Sequence, residues 1–141
     1  MSVEEDKELL CIPGVKKNYA MDFSCLIEIC QDVRPSKVPC LPQYYSGVWN
    51  YKGTIIPLID LEEPSRDKER IALIAQCSGH QFGILIQNEP YIVRKGEVEA
   101  VEIPGESDNT DVWKIKEMFR DEEHLFSLID MERTVEELIL F

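Results

Sequence analysis

The chain lacks the long apolar runs that direct a protein into or across a membrane. Residues 1–10 hold four acidic side chains and one lysine, where a signal peptide needs a basic start followed by an apolar stretch. The longest apolar stretches, such as residues 71–75, are far shorter than the roughly 20 residues that span a bilayer. We therefore expect a cytoplasmic protein with no membrane-spanning segment.

Basic residues are also scarce. The 141 residues include 15 Lys and Arg against 27 Asp and Glu, which gives a formal net charge of -12 at pH 7. A nucleic-acid backbone or an anionic membrane face would repel such a chain. The charge balance indicates that the partners are other proteins, with no nucleic acid among them.

Cysteine occurs in an odd number, within or beside apolar runs, and this pattern does not favour a disulfide framework. We interpret the cysteines as reduced thiols that act as small core hydrophobes. They are Cys11, Cys25, Cys30, Cys40 and Cys77.

The motifs of common enzyme and cofactor sites are missing. The sequence contains no GxxxxGK[ST] or GxGxxG phosphate loop, no GxSxG elbow and no CxxC pair. The nearest approach to a metal or nucleophile site is Cys77 with His80, and a tight turn at Ser78 and Gly79 explains that spacing. The sequence therefore predicts a protein that is not an enzyme and has no cofactor and no metal.

Short apolar and β-branched segments recur between Gly, Pro, Asn and Asp, and this spacing is typical of a mostly β protein. We predict one domain over residues 1–141, with hairpin turns at residues 13–14, 50–53 and 78–79 and surface loops at 62–69 and 105–111. Ser24 could cap a short helix that carries Leu26, Ile27 and Cys30, and Thr134 with Glu137 could form a capping box for a helix over 135–141. The predicted strands cover residues 8–12, 18–23, 46–50, 54–61, 70–77, 81–86, 91–94, 98–103, 112–118 and 124–130.

Residues 41–61 are the most informative block. They predict a strand, a tight turn, and a second strand in which Pro57 lies where no ladder N–H is needed. Their irregularly spaced anchors match the hallmark of the CheW-like domain family of bacterial chemotaxis, and the block resembles that family. The anchors are Pro42, Gly47, Asn50, Gly53, Pro57, Asp60 and Leu61.

The resemblance extends to residues 19–22, 26–29, 82–86 and 125–134, so that it covers nearly the whole chain. Three positions depart from the family pattern. Lys52 stands where the family has an arginine, Gln87 stands where an aspartate is usual, and no glycine follows the strand of Trp113. Lysine keeps the charge of arginine but not its planar fork, so a carboxylate contact at residue 52 would be altered.

The resemblance implies two SH3-like five-stranded β-barrel subdomains that share a core, with a short early helix and a C-terminal helix. It also implies a non-catalytic adaptor that couples the cytoplasmic tips of chemoreceptors to the regulatory domain of the chemotaxis histidine kinase, and that joins membrane-attached receptor arrays only through these partners. The family's receptor groove carries over to Leu26, Glu28, Ile29, Asn50 and Lys52. Tyr51 joins them as an aromatic that we expect to be exposed beside Lys52 at the tip of the turn.

Three other functions remain compatible with the sequence. The chain could be a CheW-like adaptor of another two-component pathway, a β-barrel that senses a small molecule between its halves, or a Cys/His enzyme that uses Cys77.

Overall fold

A computed structural model describes residues 6–62, 70–102 and 112–138 of the chain. Single 3-10 turns lie at Phe23–Cys25 and Lys95–Glu97, and no helix in the described ranges is long and apolar enough to cross a bilayer. The strands are β1 (Glu8–Ile12), β2 (Asn18–Asp22), β3 (Leu26–Val33), β4 (Tyr45–Tyr51), β5 (Thr54–Asp60), β6 (Arg70–Cys77), β7 (His80–Ile86), β8 (Tyr91–Arg94), β9 (Glu99–Val101), β10 (Ile115–Asp121) and β11 (His124–Ile129), and the helix α1 is Met131–Glu137.

The strands form two sheets. A six-stranded sheet has the order β8-β1-β2-β11-β10-β9, and a five-stranded sheet has the order β3-β6-β7-β5-β4. The pairs β2/β11 and β5/β7 are parallel and the other pairs are antiparallel. The prediction of a mostly β chain with two β subdomains is confirmed, although the described strands divide six to five rather than five to five.

The described residues form three apolar clusters. The largest, here called the shared core, takes residues from both sheets and from α1, such as Leu10, Ile84 and Val135. Each sheet also has an interior of its own. Because successive side chains of a strand point to opposite faces, β1 places Leu10 in the shared core and Leu9 in the interior of the six-stranded sheet. The sheets are thus joined by a common apolar layer, as the resemblance implied.

A polar contact also joins the two sheets. Glu62 follows β5, and its carboxylate accepts hydrogen bonds from three backbone N–H groups in the turn between β1 and β2. The distances are 2.7 Å to Val15, 2.8 Å to Lys16 and 3.2 Å to Lys17. The rest of the predicted loop at 62–69 and the predicted loop at 105–111 lie outside the described residues.

The predicted hairpins are confirmed. The turns at residues 13–14, 50–53 and 78–79 each connect two antiparallel neighbours, β1 with β2, β4 with β5, and β6 with β7. Most strand bounds agree within two residues. β10 is shifted, since it runs over Ile115–Asp121 rather than 112–118, and the predicted strand at 98–103 is described only as Glu99–Val101.

The early helix was wrongly predicted. Only the single 3-10 turn Phe23–Cys25 is helical there, and Leu26, Ile27 and Cys30 lie on β3. The apolar residues at 26, 27 and 30 fit a helical repeat better than an alternating strand, but so short a run establishes neither. Pairing of β3 with β6 decides between the two patterns.

The C-terminal helix exists but begins earlier than predicted. α1 is Met131–Glu137, and its N-cap is Asp130, whose Oδ1 accepts a hydrogen bond from the N–H of Arg133 at 3.1 Å. Thr134 is a fully buried residue of the helix, and its hydroxyl accepts from the N–H of Lys114 at 3.1 Å. Thr134, which the sequence suggested as an N-cap, therefore holds the segment before β10 through this hydrogen bond. Residues 139–141 of the predicted helix lie outside the described range.

Candidate functional site

The turn between β4 and β5 is a two-residue loop. Tyr51 and Thr54 are paired, and both loop residues have positive φ, 49° at Lys52 and 90° at Gly53. Two such residues make the type I′ turn that suits the twist of a hairpin. The side-chain oxygen of Asn50 accepts from the N–H of Gly53 at 2.8 Å. Asn50 therefore stabilises the turn, as its place before the loop suggested.

This turn contacts the edge strand β3 through one carboxylate. Glu28 Oε1 accepts a hydrogen bond from the Tyr51 hydroxyl at 2.6 Å and lies 3.0 Å from Lys52 Nζ. Lys52 Nζ also lies over the Tyr51 ring, 5.3 Å from its centroid. We call these three residues the Glu28 cluster. It brings together three of the six residues that the sequence proposed.

Tyr51 is not the exposed aromatic that the sequence predicted. It is 7% exposed, its ring belongs to the interior of the five-stranded sheet, and its centroid lies 6.0 Å from that of Trp49. Residues 49 and 51 are two positions apart on β4, so their side chains share one face and both rings point inward. Lys52 does extend into solvent, with 70% of its side chain exposed.

The contacts shift the proton affinities of all three groups in the sense expected for a paired cluster. The pKa of Glu28 lies below its usual value because the carboxylate accepts from Tyr51 and then from Lys52. The pKa of Tyr51 and that of Lys52 are raised, in both cases first by the hydrogen bond to Glu28. At neutral pH the cluster therefore contains a carboxylate, a neutral phenol and an ammonium group.

Cys30 is a neighbour that the sequence did not identify. The pKa of the Cys30 thiol is raised by burial and next by the charge of the nearby Glu28 carboxylate. The half-buried thiol also packs against the interior of the five-stranded sheet. The alternation of residues 28 and 30 on a strand would have placed them on one face, but a helical reading of this segment conceals that relation.

The other two proposed residues flank the cluster on β3. Leu26 is half-buried and packs against the shared core, so it supports the start of the strand. Ile29 is 40% exposed and Ile27 is 44% exposed, one on each side of Glu28. On β5, Ile55 is 56% exposed and is paired with Asn50. β3 and β5 thus each present exposed apolar side chains, and alternation places Ile27 and Ile29 on the face of β3 opposite to Glu28. Exposed apolar side chains of this kind suit a protein partner.

Asp60, one of the anchors of the sequence motif, is a buried residue that stabilises the fold. It is 8% exposed, its carboxylate forms an ion pair with Arg70 and accepts from the Ser46 hydroxyl, and its backbone oxygen accepts from Trp113 Nε1 at 3.2 Å. The Arg70 guanidinium also donates to Ser46 Oγ at 3.1 Å. A buried, paired carboxylate of this kind ties β4, β5 and β6 together.

Cys77 and His80 are partners in the β6–β7 register, on either side of the turn formed by Ser78 and Gly79. The Cys77 sulfur lies 3.7 Å from Ser78 Oγ, and no hydrogen bond in the described part of the chain joins it to His80. Among the described residues no three Cys, His, Asp or Glu side chains lie together as metal ligands would. The positions of these two residues are explained by the hairpin.

Comparison with known proteins agrees with this architecture. The model of the CheW-like domain family matches residues 8–138. The chemotaxis protein CheW of Bacillus subtilis (strain 168) is 30% identical over 122 residues, which are 81% of this chain and 77% of that protein. The chemotaxis protein CheW of Treponema pallidum (strain Nichols) is 36% identical over 62 residues, 43% of this chain and 35% of that protein.

The fold has a solved counterpart. The crystal structure of the scaffolding protein TtCheW from Thermoanaerobacter tengcongensis superposes with a TM-score of 0.75 at 20% identity, over 96% of this chain and 99% of that one. The family match, the relative that is 30% identical and the two-sheet architecture lead to one conclusion. The chain belongs to the family of CheW-like domains.

Proposed function

We propose that this protein is a non-catalytic, cytoplasmic adaptor of bacterial chemotaxis that couples receptor tips to the regulatory domain of the histidine kinase. The receptor would bind at the surface around Leu26, Glu28, Ile29, Asn50, Tyr51 and Lys52. The observation that carries this proposal is the Glu28 cluster, because it joins the edge strand and the hairpin turn into one surface. Neither element alone would hold these side chains in a fixed arrangement.

The chemistry of the cluster indicates what the partner offers. Lys52 has three N–H donors on its ammonium group, and the Glu28 carboxylate engages only part of them. Because most of the side chain is exposed, the remaining donors point to solvent and can meet a carboxylate of the partner. The exposed Ile27 and Ile29, on the opposite face of the same edge strand, would take apolar side chains of a partner that binds around this edge. An amphipathic helical segment with an acidic residue fits both requirements.

Substitutions of Lys52 test the proposal. Asparagine tolerates positive φ, so Lys52→Asn keeps the turn while it removes the ammonium group. Lys52→Arg keeps the charge and serves as the matched control. We expect Lys52→Asn to weaken binding of a receptor-tip fragment on the order of tenfold, with an effect that shrinks as salt is raised, and Lys52→Arg to bind nearly as the wild type does.

Each titration is repeated with the kinase regulatory domain, which we propose binds a different surface. We therefore expect its affinity to stay unchanged in both variants. Melting curves of the wild type and of both variants serve as the control that the variants are folded. Equal receptor affinity of wild type and Lys52→Asn, in a folded variant, would remove the turn from the binding surface.

The other functions have less support. A pocket lined by Pro13, Asp60, Glu62, Arg70 and neighbouring residues has an interior volume of about 10 Å³, room for roughly one water molecule. A metabolite needs a pocket more than ten times larger. An adaptor of another two-component pathway would share the proposed surface, and titration with receptor fragments from chemotaxis distinguishes that function from the one proposed.

A further inference from the structure

Cys25 and Cys77 meet at one end of the β3–β6 pair. In the register of these antiparallel strands Leu26 is opposite Ala75, so the residue before Leu26 lies beside the end of β6. The turn Phe23–Cys25 leads into β3, and Cys77 is the last residue of β6. The two cysteines are 52 residues apart in the chain but adjacent in the fold.

Their side chains lie on the same face. Ala75 points into the shared core, and Cys77, two residues further along β6, is on the same side of the strand. Cys25 is half-buried against the same core. Cys77 lies near enough to Cys25 to raise its pKa. Two cysteines that share a face at the end of one strand pair can approach bonding distance by rotation of their side chains.

We propose that Cys25 and Cys77 form a reversible intramolecular disulfide in the folded protein when a low-molecular-weight disulfide, such as oxidised glutathione, is present. The proposed disulfide does not depend on the proposed adaptor function, because it requires only the two cysteines and the oxidant. It would fasten the start of the edge strand that carries Glu28 to the end of β6.

The reaction takes two exchange steps. The Cys77 thiolate attacks one sulfur of the oxidant, forms a mixed disulfide and releases the first glutathione thiolate. The sulfur of Cys25, as it loses its proton, attacks the Cys77 sulfur, forms the protein disulfide and releases the second glutathione thiolate. The two protein sulfurs are oxidised, each by one electron, and the oxidant disulfide is reduced to two thiols, which take up the two protons.

The surroundings of the thiols favour this order. Burial, followed by the charges of Cys77 and Asp22, raises the pKa of Cys25 to about 11. Cys25 is therefore almost entirely protonated at neutral pH and is a poor first nucleophile. It becomes the resolving thiol, since it lies beside the cysteine whose sulfur it must attack.

The remaining cysteines lie elsewhere, and all five are within the described residues. Cys11 is fully buried in the interior of the six-stranded sheet, Cys30 faces the interior of the five-stranded sheet, and Cys40 is exposed in the segment between β3 and β4. Burial raises the pKa of Cys11 to about 12, which makes it still less reactive.

The test uses the full chain with Cys40→Ser, so that the exposed thiol cannot form dimers or adducts. The protein is incubated with oxidised glutathione, and intact mass and a peptide map under non-reducing conditions are recorded. We expect the loss of two hydrogen atoms, a cross-linked peptide pair that contains Cys25 and Cys77, and recovery of both thiols with dithiothreitol. Cys30→Ser in the same background is the matched control and should oxidise in the same way.

Cys25→Ser separates the two steps, because it should stop the reaction at a stable glutathione adduct on Cys77. In the protein that retains Cys25, three results would overturn the proposal: a persistent adduct on Cys77, thiols that remain unreacted, or a cross-link to a different cysteine. The Cys40→Ser protein keeps both Cys25 and Cys77. Its oxidation therefore tests the proposal even if Cys25→Ser fails to fold.

Discussion

Lys52 occupies a backbone conformation that lysine rarely adopts. Its φ of 49° in a type I′ turn is a position at which asparagine or glycine would be less strained. The ion pair with Glu28 and the contact with the Tyr51 ring offset this strain. The intramolecular contacts of the Lys52 side chain with Glu28 and Tyr51 thus help to explain why a lysine is found at this position.

The Glu28 cluster predicts a particular pH dependence of stability. The pKa of Glu28 is lowered below 4.5, so its contribution is fully present above 4.5 and is lost as pH falls through the lowered value. The pKa of Tyr51 is raised above 10.0 and that of Lys52 above 10.5, so their contributions are present below those values and are lost as pH rises through the raised ones.

Glu28→Gln isolates this contribution because glutamine is nearly isosteric but uncharged. We expect the variant to be less stable than the wild type, by a difference that is constant over the neutral range and disappears in acid below pH 4.5, as Glu28 becomes protonated. Urea titrations of both proteins at several pH values measure it. A difference that persists unchanged in strong acid would show that the charge of Glu28 is not what stabilises the cluster.

At the scale of elements, β4 depends on a close backbone approach. Gly47 has a φ of 149°, and a Cβ atom there would lie 2.3 Å from the backbone oxygen of Ser36. Ser36 and Val48 are bridged by two backbone hydrogen bonds of 2.8 and 2.9 Å. An added methyl group would push this bridge apart.

We expect Gly47→Ala to lose about 1–2 kcal/mol through backbone strain and about 1–3 kcal/mol more through the clash. Gly53→Ala is the matched control, since its φ is also positive, 90°, but nothing lies within 4 Å of the added atom. Denaturant titrations should therefore rank Gly47→Ala as the less stable variant. Equal losses would mean that the segment at Ser36 moves aside freely.

The strands bounded by turns were predictable because their signals are local. Residues 8–12, 70–77 and 91–94 were placed with the bounds that the structure has, and Gly79 and Gly53 marked their hairpins correctly. β3 was missed because its apolar residues occupy both faces, with Leu26 and Cys30 half-buried and Ile27 and Ile29 exposed, and because its assignment depends on β6, which lies far along the chain. Local patterns cannot report such pairing.

The site was predictable only as a set of positions. The family resemblance selected residues on β3 and on the β4–β5 turn, but it did not show that Glu28 accepts from Tyr51, a residue 23 positions away, or that Tyr51 is buried. Cys30 was missed and Leu26 packs against the shared core. These facts follow from how the edge strand and the turn meet, which is a property of the tertiary fold.

At the scale of the whole molecule, the shared core predicts that the two sheets unfold together. Ile84 is fully buried in that core, and we expect Ile84→Ala to lower the free energy of unfolding by about 2–5 kcal/mol through the cavity it leaves. Fluorescence of Trp49 in the five-stranded sheet and of Trp113 in the shared core should change in one transition with the circular dichroism.

A matched variant is Ile74→Ala, which leaves a cavity in the interior of the five-stranded sheet alone. We expect it to unfold in a single transition as well, because loss of that sheet exposes the shared core. Two separated transitions in either variant would show that the sheets are independent folding units, contrary to the single domain that we expect.

We propose that this chain bridges two proteins through separate surfaces, and a three-component sedimentation experiment measures that bridging. A receptor-tip fragment and the kinase regulatory domain are sedimented together, with and without the protein. We expect a complex of all three components that forms only when the protein is present and that is reduced by Lys52→Asn through loss of the receptor fragment. Displacement of one partner by the other, or binding of neither, would show that the chain does not act as a bridge.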